Sequence, residues 1–269
     1  MSNLPAYTHT VSFKDTKSPN PDWTYGQGVD TTEEGRKWLE GLQGGFKTID
    51  TSVEEPRKLK GLMMSGIIPR PVAFVSSVSE DGVENLAPYS FFNMVSYEPA
   101  MICFSAAFKE GAVPKDTARN IKATKNFTVN IISEAWIEQA HSTCVDAPPD
   151  VSEWALSGLT REKSTFVKAP RVLESAFSME CELYQAIDIP HPVTGKTNCT
   201  HILGLVKYIH VRKDILNKRG VVDPGRLKPV ARIGGISYSK TSEGYQSPRE
   251  KWEQTGESIQ KALSNISKL

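Results

Sequence analysis

Long hydrophobic runs are missing from this chain of 269 residues. No stretch approaches the roughly 20 apolar residues that a bilayer-spanning helix needs. Residues 1–10 carry no basic segment followed by an apolar one, so no secretory signal is expected. An excess of charge is missing as well. The 32 basic and 31 acidic residues leave a net +1, which offers no electrostatic footprint for nucleic acid. Cysteine is sparse: Cys103, Cys144, Cys181 and Cys199 lie far apart and in no metal-ligand spacing. Three of them sit in apolar runs, where a reduced cysteine behaves as a small hydrophobe. These absences point to an intracellular, cytoplasmic protein with reduced thiols and no membrane or nucleic-acid partner. Several motifs are absent too. No G-x-G-x-x-G follows a strand, and there is no P-loop, H-E-x-x-H or G-x-S-x-G. His141 and Cys144, three apart in a helical stretch, read either as a metal or Cys–His pair or as a buried cysteine beside an exposed histidine. No further ligands are spaced to complete a metal site.

What is present is mostly strand. Residues 1–50 are polar, with isolated aromatics and many glycines, and read as an extension that wraps a core. Within them Thr31-Thr32-Glu33-Glu34 can cap a short helix bearing Trp38 and Leu39. From Pro71 the pattern changes. Val72–Ser79 is rich in β-branched residues, Asp81-Gly82 is a hairpin turn, and Val83–Phe92 returns. Met101–Ala106 and Asn126–Ile132 read as further strands. A helix starts near Lys115-Asp116-Thr117, and Glu134–Ser142 and Ser152–Ser157 are helical, separated by the Ala147-Pro148-Pro149 break. Phe177, Met179, Cys181, Leu183, Ile187 and Ile189 alternate with mostly polar residues, which predicts a long strand with one buried face. Cys199–Val211 is apolar on both faces, and Ser247–Leu269 reads as a helical tail. Many strands, few helices and no βαβ repeat predict a mainly β fold, a β-barrel with peripheral helices. The expected organisation is an extension (1–50), a barrel domain (51–240) and a tail (241–269).

The block Ile67–Ser105 carries Pro69-Arg70-Pro71, Val75-Ser76-Ser77, Asp81-Gly82, Asn85-Leu86-Ala87-Pro88-Tyr89-Ser90-Phe91-Phe92 and Pro99. It resembles the flavin reductase-like family of FMN-binding split barrels. Lys115–Ile121, Asn126–Asn130 and the R-x-G-G-x-x-Y segment Ala231-Arg232-Ile233-Gly234-Gly235…Tyr238 extend the likeness over about residues 56–240. The resemblance implies a Greek-key split barrel, bound FMN, NAD(P)H as electron donor, a homodimer, and a flavin, oxygen or partner monooxygenase as acceptor.

Chemistry assigns these residues their expected jobs. FMN is a flat amphipathic ring with a phosphate, and needs an apolar wall, edge hydrogen bonds and an anion site. Asn85, Ala87, Pro88, Tyr89, Ser90, Phe91 and Asn93 lie on the segment that would wall the ring. Lys115, Asp116, Thr117 and Asn120 open a helix whose free N–H groups suit a phosphate, with Asp116 expected as the N-cap; plain helix capping is the alternative. Ser76 and Ser77 leave their strand on opposite faces, one toward the ligand and one toward solvent. Arg70, between two prolines, is stiffly held and either pairs with phosphate or lies on the surface. His201 is two residues nearer the following glycine than the family pattern has it, a shift that keeps the same strand face. It is either the candidate catalytic residue near the nicotinamide site or a histidine at a strand surface. His210, of opposite parity, is expected to be structural or at a subunit contact. Two rivals share the barrel: a non-enzymatic FMN carrier, and a pyridoxamine-phosphate-type oxidase that needs a basic substrate pocket not located in the sequence.

Overall fold

The computed structural model describes residues 4–109, 112–148 and 150–266. Pro149, part of the expected break, lies outside them. Their backbone falls into two compact units, Met1–Phe13 with Lys60–Ser242, and Lys14–Leu59 with Glu243–Leu269.

The larger unit is built on one seven-stranded antiparallel sheet. Its strands are β1 (Ala73–Val78), β2 (Glu84–Tyr89), β3 (Phe92–Tyr97), β4 (Ala100–Ala107), β5 (Asn126–Ile131), β6 (Phe177–Pro190) and β7 (Thr197–Val211). Their order across the sheet is β2-β1-β5-β6-β7-β4-β3. Strands β2 and β3 thus sit at opposite ends of the order, although only Ser90 and Phe91 separate them in the chain. Such a connection is possible only if the sheet rolls up until its two ends meet, which is how a barrel arises. The Ser105 N–H donates to the Phe91 carbonyl at 2.9 Å, which carries the β3–β4 pairing one residue into that connection.

Alternation along β1 sends side chains into two separate cores. Ala73 and Val75 join Tyr89, Phe104, Phe127, Val129 and Ile202 in one. Val72 and Phe74 join Leu86, Trp136 and Trp154 in the other. β1 is therefore covered on both faces, and Ser76 and Ser77 are both fully buried rather than split between ligand and solvent. In the first core Phe104 meets Tyr89 and Phe127 at centroid distances of 5.0 and 5.8 Å. Gly204 is required there by space, since a Cβ at this position would lie 2.6 Å from the Phe127 ring.

The expected half-buried alternation of β6 holds only in part. Ser178, Met179, Glu180 and Cys181 are all buried, because the segment around 165–167 covers the face that alternation assigns to solvent. Glu180 is the reason that segment stays there. Its carboxylate accepts from the N–H groups of Thr165, Phe166 and Val167 at 2.6–3.0 Å and lies 2.6 Å from His210 Nε2. Burial raises its affinity for a proton, but these donors outweigh burial and hold the carboxyl below its usual range. His210 is thus a structural partner.

Helices lie around the sheet: α1 (Pro56–Gly66), α2 (Asp116–Thr124), α3 (Ile137–Ser142) and α4 (Glu153–Ser157). A small sheet pairs Arg70–Pro71 with Val230–Ile233 and Ser237–Lys240. The smaller unit joins residues from both ends of the chain: Lys14–Thr16 pairs in parallel with Glu243–Tyr245. It includes the helix Glu33–Glu40, capped as expected by the Thr32 hydroxyl on the Gly35 N–H at 3.0 Å, and the tail helix Trp252–Ile266. No helix among the described residues is long and apolar enough to cross a membrane.

Candidate functional site

Strand β2 is an edge strand, and the edge faces a half-open cavity of about 270 Å³. Antiparallel pairing points alternate backbone groups away from the neighbour. The Leu86 N–H is one such group and donates to Glu153 Oε2 at 3.1 Å. Pro88 falls at the next outward position, where its missing donor costs nothing and prevents another strand from adding to the edge. The β2 side of the cavity is formed by Asn85, Ala87, Pro88, Tyr89, Ser90 and Phe91, as the sequence suggested.

The Tyr89 side chain is 7% exposed, and its hydroxyl has no hydrogen-bond partner. The Thr117 hydroxyl accepts from Asn85 Nδ2 at 2.7 Å. A buried phenol without a partner in hydrogen-bonding geometry is costly; burial pushes its pKa well above the ordinary value, and the neighbouring Thr117 hydroxyl opposes that rise only in part.

The start of α2 supplies Lys115, Asp116 and Thr117 to the same cavity. One expectation is corrected here. Asp116 is not the N-cap: Lys115 occupies that position without a side-chain cap, and Asp116 is the first helical residue. An acidic group there suits the helix dipole. Its charge is shared by an ion pair with Arg119 and by Lys109 Nζ at 3.6 Å. Lys109 also reaches Asp146 at 2.9 Å, the contact that chiefly raises the Lys109 pKa.

Other expected residues stand behind or outside the cavity wall. Asn120 is buried and donates to Ser77 Oγ at 3.3 Å, so both brace α2 against β1. Ser76 Oγ is buried without a partner. Asn93 is exposed on β3, where its Oδ1 accepts from the Met94 N–H at 2.9 Å. Arg70 is neither a surface residue nor part of the wall. It is 6% exposed and donates to the carbonyls of Met64, Ile67 and Gly234 and, at 3.4 Å, to Ser90 Oγ. His201 does not line the cavity. Its Nδ1 lies 2.8 Å from Ser105 Oγ, and Ser105 does line it.

The structure also brings in residues that no local motif signals. Helix α1 contributes Lys60 and Met64, and the 143–147 segment contributes Cys144 and Val145. Glu153 comes from α4, with its carboxyl raised by burial. His141 and Cys144 approach with Nδ1···Sγ at 3.7 Å, but desolvation raises the Cys144 thiol pKa. No group of three or more His, Cys, Asp or Glu among the described residues is arranged to hold a metal ion. The arrangement is a partly apolar slot with a helix start of mixed charge, Lys115 and Asp116, at one side, and no acid–base constellation among the described residues.

Comparison with known proteins places this fold. The family model described as "Flavin reductase like domain" matches residues 64–229, and the chain belongs to that family. An uncharacterized protein of Aquifex aeolicus is 37% identical over 179 residues, covering 66% of this chain and 88% of that protein. Among solved structures, nitrilotriacetate monooxygenase component B from Bacillus cereus is similar at 33% identity and TM-score 0.69, covering 77% of this chain and 98% of that one. A Shewanella frigidimarina structure described as a flavin reductase with split barrel domain shares the fold, at 20% identity and TM-score 0.63, over 77% and 99% of the two chains. The fold is the split barrel of flavin reductases.

Proposed function

We propose that this chain is an FMN-dependent oxidoreductase. It holds FMN in the cavity along β2, accepts hydride from NADH or NADPH, and passes electrons to a free flavin, to oxygen or to a partner monooxygenase. One observation carries most of the reading. The Tyr89 hydroxyl is buried behind the cavity wall beside Thr117 and has no partner in hydrogen-bonding geometry, so a ligand that draws Thr117 or Tyr89 into a hydrogen bond at that wall relieves an existing cost.

The rest of the wall fits the same guest. Ala87, Pro88, Phe91, Met64 and Val145 present small or apolar surface suited to a flat ring. Lys115, the Thr117 hydroxyl and the N–H groups opening α2 suit its phosphate. Asp116 opposes this less than its charge suggests, because Arg119 and Lys109 already balance it. Bound flavin supplies the hydride chemistry. The chain's own residues bind and orient it, and hydride transfer requires no acid or base from them. Arg70 acts as a positioning residue by tying Ser90 to the carbonyls of Met64, Ile67 and Gly234, and His201 positions Ser105. The likeness to the Bacillus cereus monooxygenase component supports a monooxygenase partner, and the family resemblance supports a homodimer.

The test is direct. Purified protein reconstituted with FMN is expected to be yellow and to bleach anaerobically with NADH or NADPH. A yellow protein that neither nucleotide bleaches would be a carrier, and a protein that never retains FMN would end the flavin reading.

A further inference from the structure

The cavity wall carries Lys60, Lys109 and Lys115, with three carboxylates beside them, and a second group of cations without carboxylates lies behind the wall. Near Asn85, Lys109 and Lys115 share the wall with Asp116, Asp146 and Glu153. Beyond Ser90 lie Arg70 and Arg232, paired in register between their strands. All four acceptors of Arg70 are neutral oxygens. Arg232 donates Nη2 to the Gly235 carbonyl and lies 4.4 Å over the Tyr238 ring, whose hydroxyl it also approaches, while its Nη1 is buried with no partner in hydrogen-bonding geometry. No ion pair among the described residues includes either arginine. Burial first, and the Arg232 charge second, lower the Arg70 pKa. Two adjacent guanidiniums without a carboxylate are an arrangement that an oxyanion completes.

The pair stands behind the slot wall rather than in it. Arg70 reaches Ser90, a wall residue. The Tyr238 ring under Arg232 contacts His141, whose Nδ1 is 3.7 Å from the sulfur of Cys144, another wall residue. From Asn85 to Ser90 the strand runs five residues, roughly 16 Å. FMN has one phosphate, and with that phosphate at the Lys115 end the arginine pair is left without an anion.

We propose that Arg232, backed by Arg70, forms an oxyanion subsite that takes the diphosphate of a dinucleotide co-substrate while the flavin phosphate occupies the Lys115 end. This rests on the flavin reading above. Arg232 is the residue to vary, because Arg70 ties three backbone carbonyls together and its loss would perturb the fold.

The probe is ADP-ribose, which carries the diphosphate but no reducible ring, titrated by calorimetry into FMN-loaded protein. Arg232→Gln is expected to weaken ADP-ribose by about tenfold or more, Arg232→Lys to recover part of that loss, and the FMN dissociation constant to stay the same. If Arg232→Gln melts early, competition of inorganic pyrophosphate with ADP-ribose on the wild type decides instead: competition supports the subsite and its absence overturns it. Unchanged ADP-ribose affinity in a folded Arg232→Gln protein overturns it. So does loss of the preference for FMN over riboflavin in that variant, since the arginine would then serve the flavin phosphate. Failure of the flavin reading itself is seen separately, as wild-type protein that does not bind FMN, and it removes this proposal too.

Discussion

Replacing Tyr89 with phenylalanine separates a ligand-facing hydroxyl from a structural one. The hydroxyl is buried and unpartnered in the ligand-free chain, so it costs stability of about 1–3 kcal/mol there. Removing one oxygen leaves the ring packed on Phe104 at 5.0 Å and forfeits little dispersion. Apoprotein of Tyr89→Phe should therefore be more stable than wild type by about 1 kcal/mol, a rise in melting temperature of roughly 2–4 °C for a domain of this size. If bound FMN gives the hydroxyl a partner, as proposed, its removal costs the complex about 1 kcal/mol. The two changes act in the same direction on affinity. Together they amount to about 2 kcal/mol, or roughly thirtyfold weaker FMN binding. Urea denaturation of the apoprotein and quenching of flavin fluorescence measure the two parts independently. An apoprotein destabilised by the change, together with an unaltered FMN dissociation constant, would show that the hydroxyl has a structural partner and no ligand role.

Two further outcomes test the fold that holds the cavity. Gly204→Ala places a methyl group 2.6 Å from the Phe127 ring and should lower stability by about 1–3 kcal/mol through overpacking, read from the urea midpoint at unchanged m-value. Glu180, whose folded pKa is depressed, contributes stability above its unfolded pKa of about 4.3 and loses it as pH falls through the lower folded value. Glu180→Gln should cost about 2 kcal/mol at pH 7, flatten the acid limb of the stability profile, and speed amide exchange at Thr165, Phe166 and Val167; an unchanged acid limb would refute the assignment.

The strand pattern and the order of the family blocks in the sequence were enough to determine the mainly β fold, because period-two alternation and Asp81-Gly82 turn chemistry are local properties of the backbone. They also identified one wall of the cavity, Asn85–Phe91, since consecutive residues of an edge strand share a location. Tertiary structure decided what stands opposite. Met64, Cys144, Lys109 and Glu153 come from segments far apart in the chain, and no local signal unites them. The same limit explains Ser76, Ser77 and Glu180. Alternation specifies which side of a strand a residue faces, but whether that side meets solvent depends on the helix or loop packed over it. It explains Arg70 and Asp116 as well, because the balance of a charge is set by neighbours that only the folded chain brings within a few ångströms.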